Sequence, residues 1–548
     1  MRKALKRLIA LALGGAGAVG AGEVGLAFAG LPDDSRVFAI MGSDAHCFQR
    51  DAQLLWRLRQ DATLYRPNRL GLRGYWPARD ERGDRMRIVC VGDSCTFAVG
   101  GRFEDGYGAR LEQRLHERFP HRGFEVLLAA LPGHSTCQNR ALFELEVVGL
   151  EPDVVIVYAS GWNDARPALY LPDAEYLRAE QAFDRALWSG LRSARFVRQA
   201  VIRRRTAAAR ENADQPQRPR VALEEFIGHV TAMARGAKAA RATPLFLVPP
   251  LPRATVAARP ALENYRAAVR RVAAAEGVAA VDGELVFRQH DAALPAAVRA
   301  VAGEASPCFA DYVHPSGLGH RLLADALVAA IAEHVGDGPT GGAAVQIENV
   351  RAVSSGALEL VGTGFAGVTP ADRVWLGPHW LRQVRVVDDR RLQVQLPKHL
   401  PPGEHVVSLR TARGAVRGPA WRVAPRSLAV HADATAKEVL LRIEDCPPSV
   451  VRVWFATELA DEPRRTEFGP FALMPGQPPG VADLPVRWGE LSLPALEGRQ
   501  PQQGVWEKRV PVDVPLTDAA VYAQALLADP DEPFEGALTT AVRVVIDG

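Results

Sequence analysis

Arg87-Ile-Val-Cys-Val-Gly-Asp-Ser-Cys-Thr-Phe-Ala-Val-Gly100 joins an apolar, β-branched run to a glycine turn that carries a serine. The run Ile88–Val91 has the unalternating apolar composition of a strand buried on both faces, as in a parallel sheet. The turn Gly92-Asp93-Ser94 ends this run abruptly. Because α/β proteins place their sites at the carboxyl ends of such strands, the pattern predicts an exposed Ser94 hydroxyl there, a candidate nucleophile.

A serine nucleophile needs a base that takes its proton and a third group that orients the base. Both residue types occur far downstream in Asp311-Tyr-Val-His314, just ahead of an apolar helical pattern over Leu322–Val335. A carboxylate three residues before a histidine can orient its imidazole. We therefore expect His314 to act as the base for Ser94 and Asp311 to orient His314.

Two further segments follow strand-like runs and reach the same predicted sheet edge. Pro132-Gly133-His134 follows the run Phe124–Leu128, and Gly161-Trp162-Asn163-Asp164 follows the run Asp153–Tyr158. A glycine can present its backbone N–H closely to an oxyanion, and an asparagine amide can add another donor. Together with the amide of Ser94, Gly133 and Asn163 are the predicted donors of an oxyanion hole.

The four sequence blocks described above are Gly-Asp-Ser at 92–94, the glycine at 133, Gly-x-Asn-Asp at 161–164 and Asp-x-x-His at 311–314. In this order they resemble the blocks of the SGNH (GDSL) hydrolase family. The resemblance covers residues 87 to 335 and implies a nucleophilic Ser94, the base His314 with its partner Asp311, and oxyanion donors at Gly133 and Asn163. Related proteins often carry Asn-Ala-Gly before the second block, where this chain has Leu-Ala-Ala at 128–130. Gly133 therefore takes the donor position in this interpretation.

Other residues near the blocks have simpler interpretations. We expect Asp93 to brace the nucleophile turn, and His320 to pack or cap within the last helix without acting as the base. His134 lies beside the proposed oxyanion glycine, where it either contacts substrate or is incidental.

The six cysteines include no Cys-x-x-Cys pair, so their spacing indicates no zinc site. We also expect no other metal and no cofactor. Cys95 as a thiol nucleophile is an alternative that the strand-turn context disfavours. A disulfide between two of Cys95, Cys137 and Cys308 is conceivable, and packed thiols are the other interpretation.

Alternating strand and helix patterns predict a three-layer α/β/α sandwich with a five-stranded parallel sheet over residues 87–338, of the SGNH or flavodoxin-like type. A lead-in segment, 31–86, precedes it and includes Asn68-Arg-Leu-Gly-Leu-Arg-Gly74, which is similar to a lead-in of anchored SGNH proteins. An insertion at 165–220 is helical and is interpreted as a packing subdomain or a lid.

After a glycine-rich hinge at 336–342 the helical patterns cease, and two β-sandwich (Ig-like) domains are predicted. Residues 343–425 resemble an IPT/TIG domain, on the evidence of short strands punctuated by glycine, such as Leu358-Glu-Leu-Val361 before Gly362-Thr-Gly-Phe365. Residues 427–548 are again β and are interpreted as an accessory domain.

Charge and targeting signals narrow the partners and the compartment. The chain carries 66 Lys and Arg against 63 Asp and Glu, so no global field favours nucleic acid. Met1-Arg-Lys-Ala-Leu-Lys-Arg7 is basic, and the apolar segment Leu8–Gly22 follows it. This pattern predicts a signal peptide or an N-terminal membrane anchor within residues 1–30, and an extracytoplasmic location that is periplasmic, membrane-anchored or secreted.

These observations predict an extracytoplasmic serine ester hydrolase, with an ester substrate such as an acetylated polysaccharide or a lipid. The alternatives are an O-acyltransferase acting on cell-surface polysaccharide, a lipase or thioesterase, and a non-enzymatic carbohydrate-binding or assembly protein at the cell surface. Substrate class is inferred from the resemblance and not from particular residues.

Overall fold

The structure, a computed structural model, describes residues 19–32, 47–62, 65, 67–74, 83–212, 217–294, 306–335, 345–424 without 355, 371, 382, 398 and 399, and the strands between 428 and 547. The chain divides into two compact units, residues 1–118 with 124–337, and 119–123 with 338–548. Most of the predicted signal or anchor segment, and the predicted boundaries after 338 and 425, lie outside the described residues. No described helix is long and apolar enough to cross a membrane.

The first unit contains the predicted five-stranded parallel sheet and, before it, a two-stranded hairpin. Its strands are β1 Phe48–Asp51, β2 Leu55–Leu58, β3 Met86–Gly92, β4 Phe124–Ala130, β5 Val154–Tyr158, β6 Thr243–Val248 and β7 Ala279–Asp282. The hairpin consists of β1 and β2, and the parallel sheet has the order β4-β3-β5-β6-β7. The expected fold class is confirmed, because the sheet matches the prediction in number, direction and position of its strands.

Helices cover both faces of this sheet. They comprise residues 19–28 (α1), then α2 Ser94–Phe97, α3 Tyr107–Arg118, α4 Thr136–Leu142, α5 Asp173–Asp184, α6 Arg192–Glu211, α7 Leu223–Ala239, α8 Arg253–Ala258, α9 Ala261–Glu276, α10 Gly283–Ala293 and α11 Gly317–Ala332. Helix α3 packs against α11, and α7 packs against α4 and α9. Every residue of β3, β4 and β5 is buried, which explains their unalternating apolar sequences.

The sheet order has a topological switch point between β3 and β5. The chain leaves β3 toward β4 on one side and returns to β5 on the other side. In doubly wound sheets, ligands bind outside the carboxyl ends of the strands at such a point. Ser94 follows β3 and Asn163 follows β5, so both lie where this rule places a site.

Helix α11 begins at Gly317, five residues before the apolar pattern from which it was predicted. Its N-cap is Ser316, whose side chain accepts a hydrogen bond from the Gly319 amide. Two glycines in the first turn weaken the periodic signal there, and the serine cap compensates for their low helix propensity.

The predicted insertion after Asp164 contains the helices α5 and α6. The Glu23 carboxylate of α1 accepts hydrogen bonds from the amides of Arg192 and Ser193, at 2.7 and 2.8 Å. These amides begin α6, whose own N-cap side chain makes no such bond. A carboxylate from another helix therefore satisfies the N-terminus of α6, where it also complements the helix dipole.

The second unit begins with two four-stranded antiparallel sheets that share one apolar core. Leu360 and Leu392 of one sheet and Val374 and Leu409 of the other belong to this core. The strands are β8 Gln346–Ser354, β9 Ala357–Thr363, β10 Arg373–Leu376, β11 His379–Leu381, β12 Val384–Asp388, β13 Arg391–Gln395, β14 Gly403–Thr411 and β15 Gly414–Val423.

The remainder of the unit is again β structure, as expected. Its strands are β16 Leu428–Asp433, β17 Glu438–Ile443, β18 Val450–Ala456, β19 Leu459–Thr466, β20 Gly469–Leu473, β21 Leu491–Ser492, β22 Trp506–Pro511, β23 Tyr522–Ala528, β24 Gly536–Leu538, β25 Val542–Arg543 and β26 Val545–Asp547. Among these strands, β16 to β26, all of the described pairings are antiparallel except that of β16 with β26.

Candidate active site

The nucleophile turn depends on close packing behind Ser94. Ser94 is the first residue of α2 and is 8% exposed. A Cβ at Gly92 would lie 2.1 Å from the Thr96 hydroxyl oxygen, so only glycine lets the chain turn this tightly from β3 into α2. This packing sets the position of the Ser94 hydroxyl at the strand's carboxyl end.

Asp93 braces the turn, as expected. Its carboxylate accepts a hydrogen bond from the Cys95 amide at 2.9 Å and another from the hydroxyl of Ser160, which follows β5. Burial raises the pKa of Asp93, and the hydrogen bond from Ser160 opposes that shift. Asp93 therefore ties the end of β3 to the end of β5.

The structure brings the three residues of the predicted triad together. His314 Nε2 lies 2.9 Å from Ser94 Oγ, and His314 Nδ1 lies 2.7 Å from Asp311 Oδ2. With the Nδ1 proton donated to Asp311, the Nε2 lone pair is free to accept the Ser94 hydroxyl proton. The arrangement is that of a hydroxyl nucleophile with an oriented general base.

Asp311 is held in its ionised form by its surroundings. Partial burial raises the pKa of Asp311, but hydrogen bonds from the His314 side chain and from the amides of His314 and Val313 outweigh it, so the pKa lies below its usual value. The two amides donate at 2.7 and 2.8 Å to the oxygen that does not contact the imidazole. Both carboxylate oxygens are therefore used to fix the loop and the histidine ring.

Three successive carbonyl groups hold the turn that contains Gly133. The Trp56 indole N–H donates to Pro132 O at 3.0 Å, the Arg220 guanidinium to Gly133 O at 2.8 Å, and the Asn163 amide to His134 O at 3.0 Å. Gly133 itself has φ = +77°, a conformation that favours glycine. In a trans peptide the N–H points opposite to the preceding C=O, so the Gly133 N–H points away from Trp56.

The predicted oxyanion donors remain available for a ligand. Neither the Ser94 amide nor the Gly133 amide donates a hydrogen bond to another described group. The Asn163 amide uses one N–H on His134 O and retains its second. These three N–H groups lie on the loops after β3, β4 and β5, and their joint binding of an oxyanion stays a prediction.

Sequence reasoning missed the residues that clamp the Gly133 turn from behind. Arg220 forms a bidentate ion pair with Asp173, at 3.0 and 2.7 Å, and the Ser135 hydroxyl donates to the same carboxylate at 2.6 Å. Asp164 accepts hydrogen bonds from the amide and hydroxyl of Thr136. The Gly-x-Asn-Asp pattern contains Asp164, but no signal in the sequence links Arg220 to Gly133.

The lead-in segment contributes a second clamp, whose task was not predicted. Arg73 is buried and donates hydrogen bonds to the carbonyl oxygens of Phe97, Ala98 and Gly101. These carbonyls lie at and just beyond the C-terminus of α2, where a cation also complements the helix dipole. The similarity to a lead-in of anchored SGNH proteins therefore falls on a residue that supports the nucleophile helix.

The other two candidate histidines, His320 and His134, are buried in the interior of the protein. His320 is buried and accepts a hydrogen bond from the Tyr107 amide at 3.3 Å, as expected of a packed residue. His134 is also buried, and its Nε2 lies 3.2 Å from Trp56 O. Burial is the main cause that lowers the pKa of each to about 3, so both imidazoles are neutral.

The cysteines form neither a nucleophile nor a disulfide among the described residues. Cys95 is buried against Val313 O, and burial raises the pKa of its thiol well above the usual value. Cys95, Cys137 and Cys308 are all free thiols, so the conceivable disulfide between two of them is wrong. No group of three or more described His, Cys, Asp and Glu side chains could hold a metal ion.

Comparisons with known proteins agree with the four sequence blocks. Residues 90–322 match the model of the GDSL-like Lipase/Acylhydrolase family. No curated protein sequence matches the chain significantly.

Several solved structures are similar to part of this chain. An acetylxylan esterase from Geobacillus stearothermophilus is 18% identical, with 46% of this chain and 96% of that chain covered and a TM-score of 0.31. A lipase/acylhydrolase from Enterococcus faecalis is 17% identical over 45% and 96% of the two chains, with a TM-score of 0.29.

The family match begins within β3, includes β4 to β7, and contains the segments that carry Ser94, Gly133, Asn163, Asp311 and His314. Residues 90–322 thus form a domain of the GDSL-like lipase/acylhydrolase family, and the chain is an ester-hydrolysing enzyme.

Proposed function

We propose that this protein is an extracytoplasmic serine esterase that uses Ser94, His314 and Asp311 to remove acetyl groups from O-acetylated carbohydrate. The observation that carries the proposal is the continuous hydrogen-bond chain from Asp311 through His314 to Ser94 Oγ. The basic and apolar N-terminal pattern supports the location. The β domains that follow the catalytic unit, on a chain directed outward, favour a polymeric carbohydrate over a small metabolite.

Acylation begins when His314 Nε2 takes the Ser94 hydroxyl proton and Ser94 Oγ attacks the ester carbonyl carbon. The resulting oxyanion accepts hydrogen bonds from the amides of Ser94 and Gly133 and from the Asn163 side chain. As the tetrahedral intermediate collapses, the imidazolium of His314 gives its proton to the departing alcohol. Asp311 stays ionised throughout and stabilises the transient positive charge on His314.

Deacylation repeats these steps with water in place of the serine. His314 takes a proton from a water molecule, which attacks the acyl-Ser94 carbonyl through the same oxyanion hole. Collapse of the second intermediate releases the carboxylic acid and returns the proton to Ser94 Oγ. Atoms and protons balance without a metal or an organic cofactor.

The test is hydrolysis of p-nitrophenyl acetate by the full-length protein and its Ser94→Ala variant. The variant should lose several orders of magnitude in kcat, and Asn163→Ala should lose about 100- to 1000-fold because one oxyanion donor is removed. Ser354→Ala, an exposed serine in β8, is the matched control and should retain full activity. Hydrolysis that survives Ser94→Ala would overturn the proposed mechanism.

Location and substrate need their own measurements. Cell fractionation should find the protein outside the cytosolic fraction, and a cytosolic protein would overturn the extracytoplasmic assignment. Acetate release from acetylated oligosaccharides should exceed fatty-acid release from long-chain p-nitrophenyl esters. The reverse preference would identify a lipase.

A further inference from the structure

An open pocket of about 450 Å³ adjoins the proposed catalytic residues. Its lining includes Trp162, Arg166, Thr255, Arg259 and Tyr312. Trp162 directly precedes the oxyanion residue Asn163, and Tyr312 lies between Asp311 and His314 in the base loop. His314 protonates the departing alcohol in the proposed mechanism, so a pocket on the His314 loop lies on the alcohol side of the ester.

Two guanidinium groups face this pocket without a compensating carboxylate. Within the described residues, neither Arg166 nor Arg259 forms an ion pair, whereas the neighbouring Arg220 is neutralised by Asp173. Burial, followed by the charges of Arg220 and Arg259, lowers the pKa of the Arg166 guanidinium. The pocket therefore carries an excess of positive charge that an anion would relieve.

The positions of the two arginines are set by contacts that leave their charge intact. The Arg259 guanidinium lies 4.4 Å from the centroid of the Trp162 ring, a cation–π contact. The backbone carbonyl of Arg166 accepts a hydrogen bond from the Arg220 amide at 2.8 Å, which anchors that residue. Guanidinium groups bind carboxylates and phosphates through paired N–H donors, so this pair suits an anion of either kind.

Aromatic faces complete the pocket. The rings of Trp162 and Tyr312 lie 5.3 Å apart, and Tyr312 is 61% exposed. The Thr255 hydroxyl donates to Tyr312 O at 2.6 Å and so holds this residue at the pocket wall. An exposed aromatic face can pack against the C–H face of a sugar ring while polar groups bind its substituents.

We propose that this pocket binds a carboxylate-bearing sugar unit, so that the enzyme deacetylates an acidic polysaccharide. Arg166 and Arg259 bind the carboxylate of a uronate residue, and Tyr312 packs against its ring. The inference rests on the proposed esterase function and names its substrate class. The remaining lining residues of the pocket are Ala254 and Ala258, whose single methyl groups offer little surface to a long acyl chain.

The experiment compares two synthetic esters that differ in one group, methyl 3-O-acetyl-glucuronoside and methyl 3-O-acetyl-glucoside. Wild-type protein should hydrolyse the uronoside with a kcat/KM about tenfold higher or more, mainly through a lower KM. Arg166→Gln and Arg259→Gln should each reduce the uronoside-to-glucoside ratio about tenfold or more, because each removes a charge-assisted hydrogen bond. Arg166→Lys should retain part of the preference, since it keeps the charge but not the paired donors.

Arg271→Gln is the matched control, because Arg271 is exposed on α9 and the net charge changes equally. Its ratio should equal that of the wild type. Thermal unfolding of every variant shows whether a lost preference reflects a lost fold, and the uronoside ratio is read only from folded variants.

Three outcomes would overturn the inference. Equal kcat/KM for the two glycosides in the wild type would show that the enzyme does not prefer an acidic sugar, while the proposed esterase function would still stand. An unchanged uronoside-to-glucoside ratio in both arginine variants would show that Arg166 and Arg259 do not bind the carboxylate. An arginine-dependent preference for acyl-glycerol 3-phosphate over acyl-glycerol, without one for the uronoside, would assign the pocket to a lipid phosphate. Inactivity of the wild type towards p-nitrophenyl acetate would instead overturn the esterase function itself.

Discussion

The nucleophile turn and the base loop meet at the Ser94–His314 hydrogen bond but are held in different ways. Asp93 and Ser94 are 3% and 8% exposed, and the turn is fixed by buried contacts with Thr96 and Ser160. In the base loop, the side chains of His314 and Asp311 are 17% and 40% exposed. The nucleophile is thus positioned by the protein core, and the base largely by its own loop.

The base loop maintains its shape mainly through short-range hydrogen bonds. Asp311 accepts from the Val313 and His314 amides, and the Ala310 amide donates to His314 O at 2.9 Å. The Thr255 hydroxyl provides a hydrogen bond from outside the loop. Substitutions in the base loop should therefore reduce activity with little loss of stability, whereas substitutions behind the nucleophile should reduce both.

The largest effect is expected for His314→Ala. Removing the general base should lower kcat by about four to six orders of magnitude, with an unchanged melting temperature because the side chain is partly exposed. The double variant Ser94→Ala/His314→Ala should be no slower than either single variant, since the two residues act as a unit. Steady-state kinetics on p-nitrophenyl acetate measures both, and additive losses would show that the residues work independently.

Asp311→Asn should come next, with a loss of about 100- to 10,000-fold in kcat. An amide carries no negative charge and can donate its own N–H to Nδ1, so the imidazole loses the fixed orientation and tautomer that the carboxylate imposes. The free energy of unfolding should change by less than about 1 kcal/mol, because an exposed pair contributes little. Urea unfolding beside the kinetics checks the contrast, and a large loss of stability would contradict the proposed independence of the base loop.

Asp93→Ala is the matching change on the buried side. It leaves the Ser160 hydroxyl and the Cys95 amide without their acceptor in the core, which should cost about 2 to 3 kcal/mol in the free energy of unfolding. Activity should fall as well, because the turn that presents Ser94 loosens. If stability is unchanged while activity is lost, Asp93 acts on the chemistry and not on the fold.

The two loops also differ in how well they could be predicted from the sequence. Ser94 was predicted at the sheet edge because it follows a parallel strand. Asp311 and His314 were predicted as its partners because a serine nucleophile needs an oriented base and residues three apart can pair within a loop. The strand β3 was clear because its apolar run is unbroken. The apolar pattern of α11 begins only at Leu322, because the glycines at 317 and 319 carry no apolar side chain into the first turn of the helix.

The clamps behind the site were not predicted. Arg220 contacts Gly133 O across 87 positions, and Arg73 contacts the end of α2 from the lead-in segment. Such contacts depend on the path of long connections in three dimensions, which no periodicity encodes. The same holds for Arg166 and Arg259, which look like ordinary solvated arginines in the sequence.

The buried histidines His320 and His134 make the stability of the fold depend on pH. The pKa of His320 is lowered from 6.5 to about 3. Between these two pH values this histidine is protonated in the unfolded chain and neutral in the folded protein, so lowering the pH favours unfolding. The contribution of His320 to the free energy of unfolding is complete above pH 6.5 and is lost as the pH falls towards 3. The loss is about 1.4 kcal/mol per pH unit for each such histidine. His134 has the same shift and adds a second slope.

His320→Gln should therefore flatten the decline of unfolding free energy between about pH 6 and pH 5 by about 1.4 kcal/mol. Asp164, whose pKa burial raises to about 7, contributes in the opposite direction but is present in both proteins and cancels. Urea titrations at each pH give the slope, and identical slopes would mean that His320 is protonated in the folded state. His314→Gln, in the exposed loop, is the comparison variant.

The smallest effect is expected for Thr255→Val, which tests how far the base loop depends on contacts outside itself. The valine keeps the shape of the side chain but cannot donate to Tyr312 O, so the loop loses about 1 kcal/mol of restraint. Water can reach the exposed Tyr312 and replace part of that bond, and kcat should fall only a few-fold with an unchanged melting temperature. A loss as large as that of Asp311→Asn would mean that the loop is positioned from outside, by α8, and that base and nucleophile are both held by the rest of the fold.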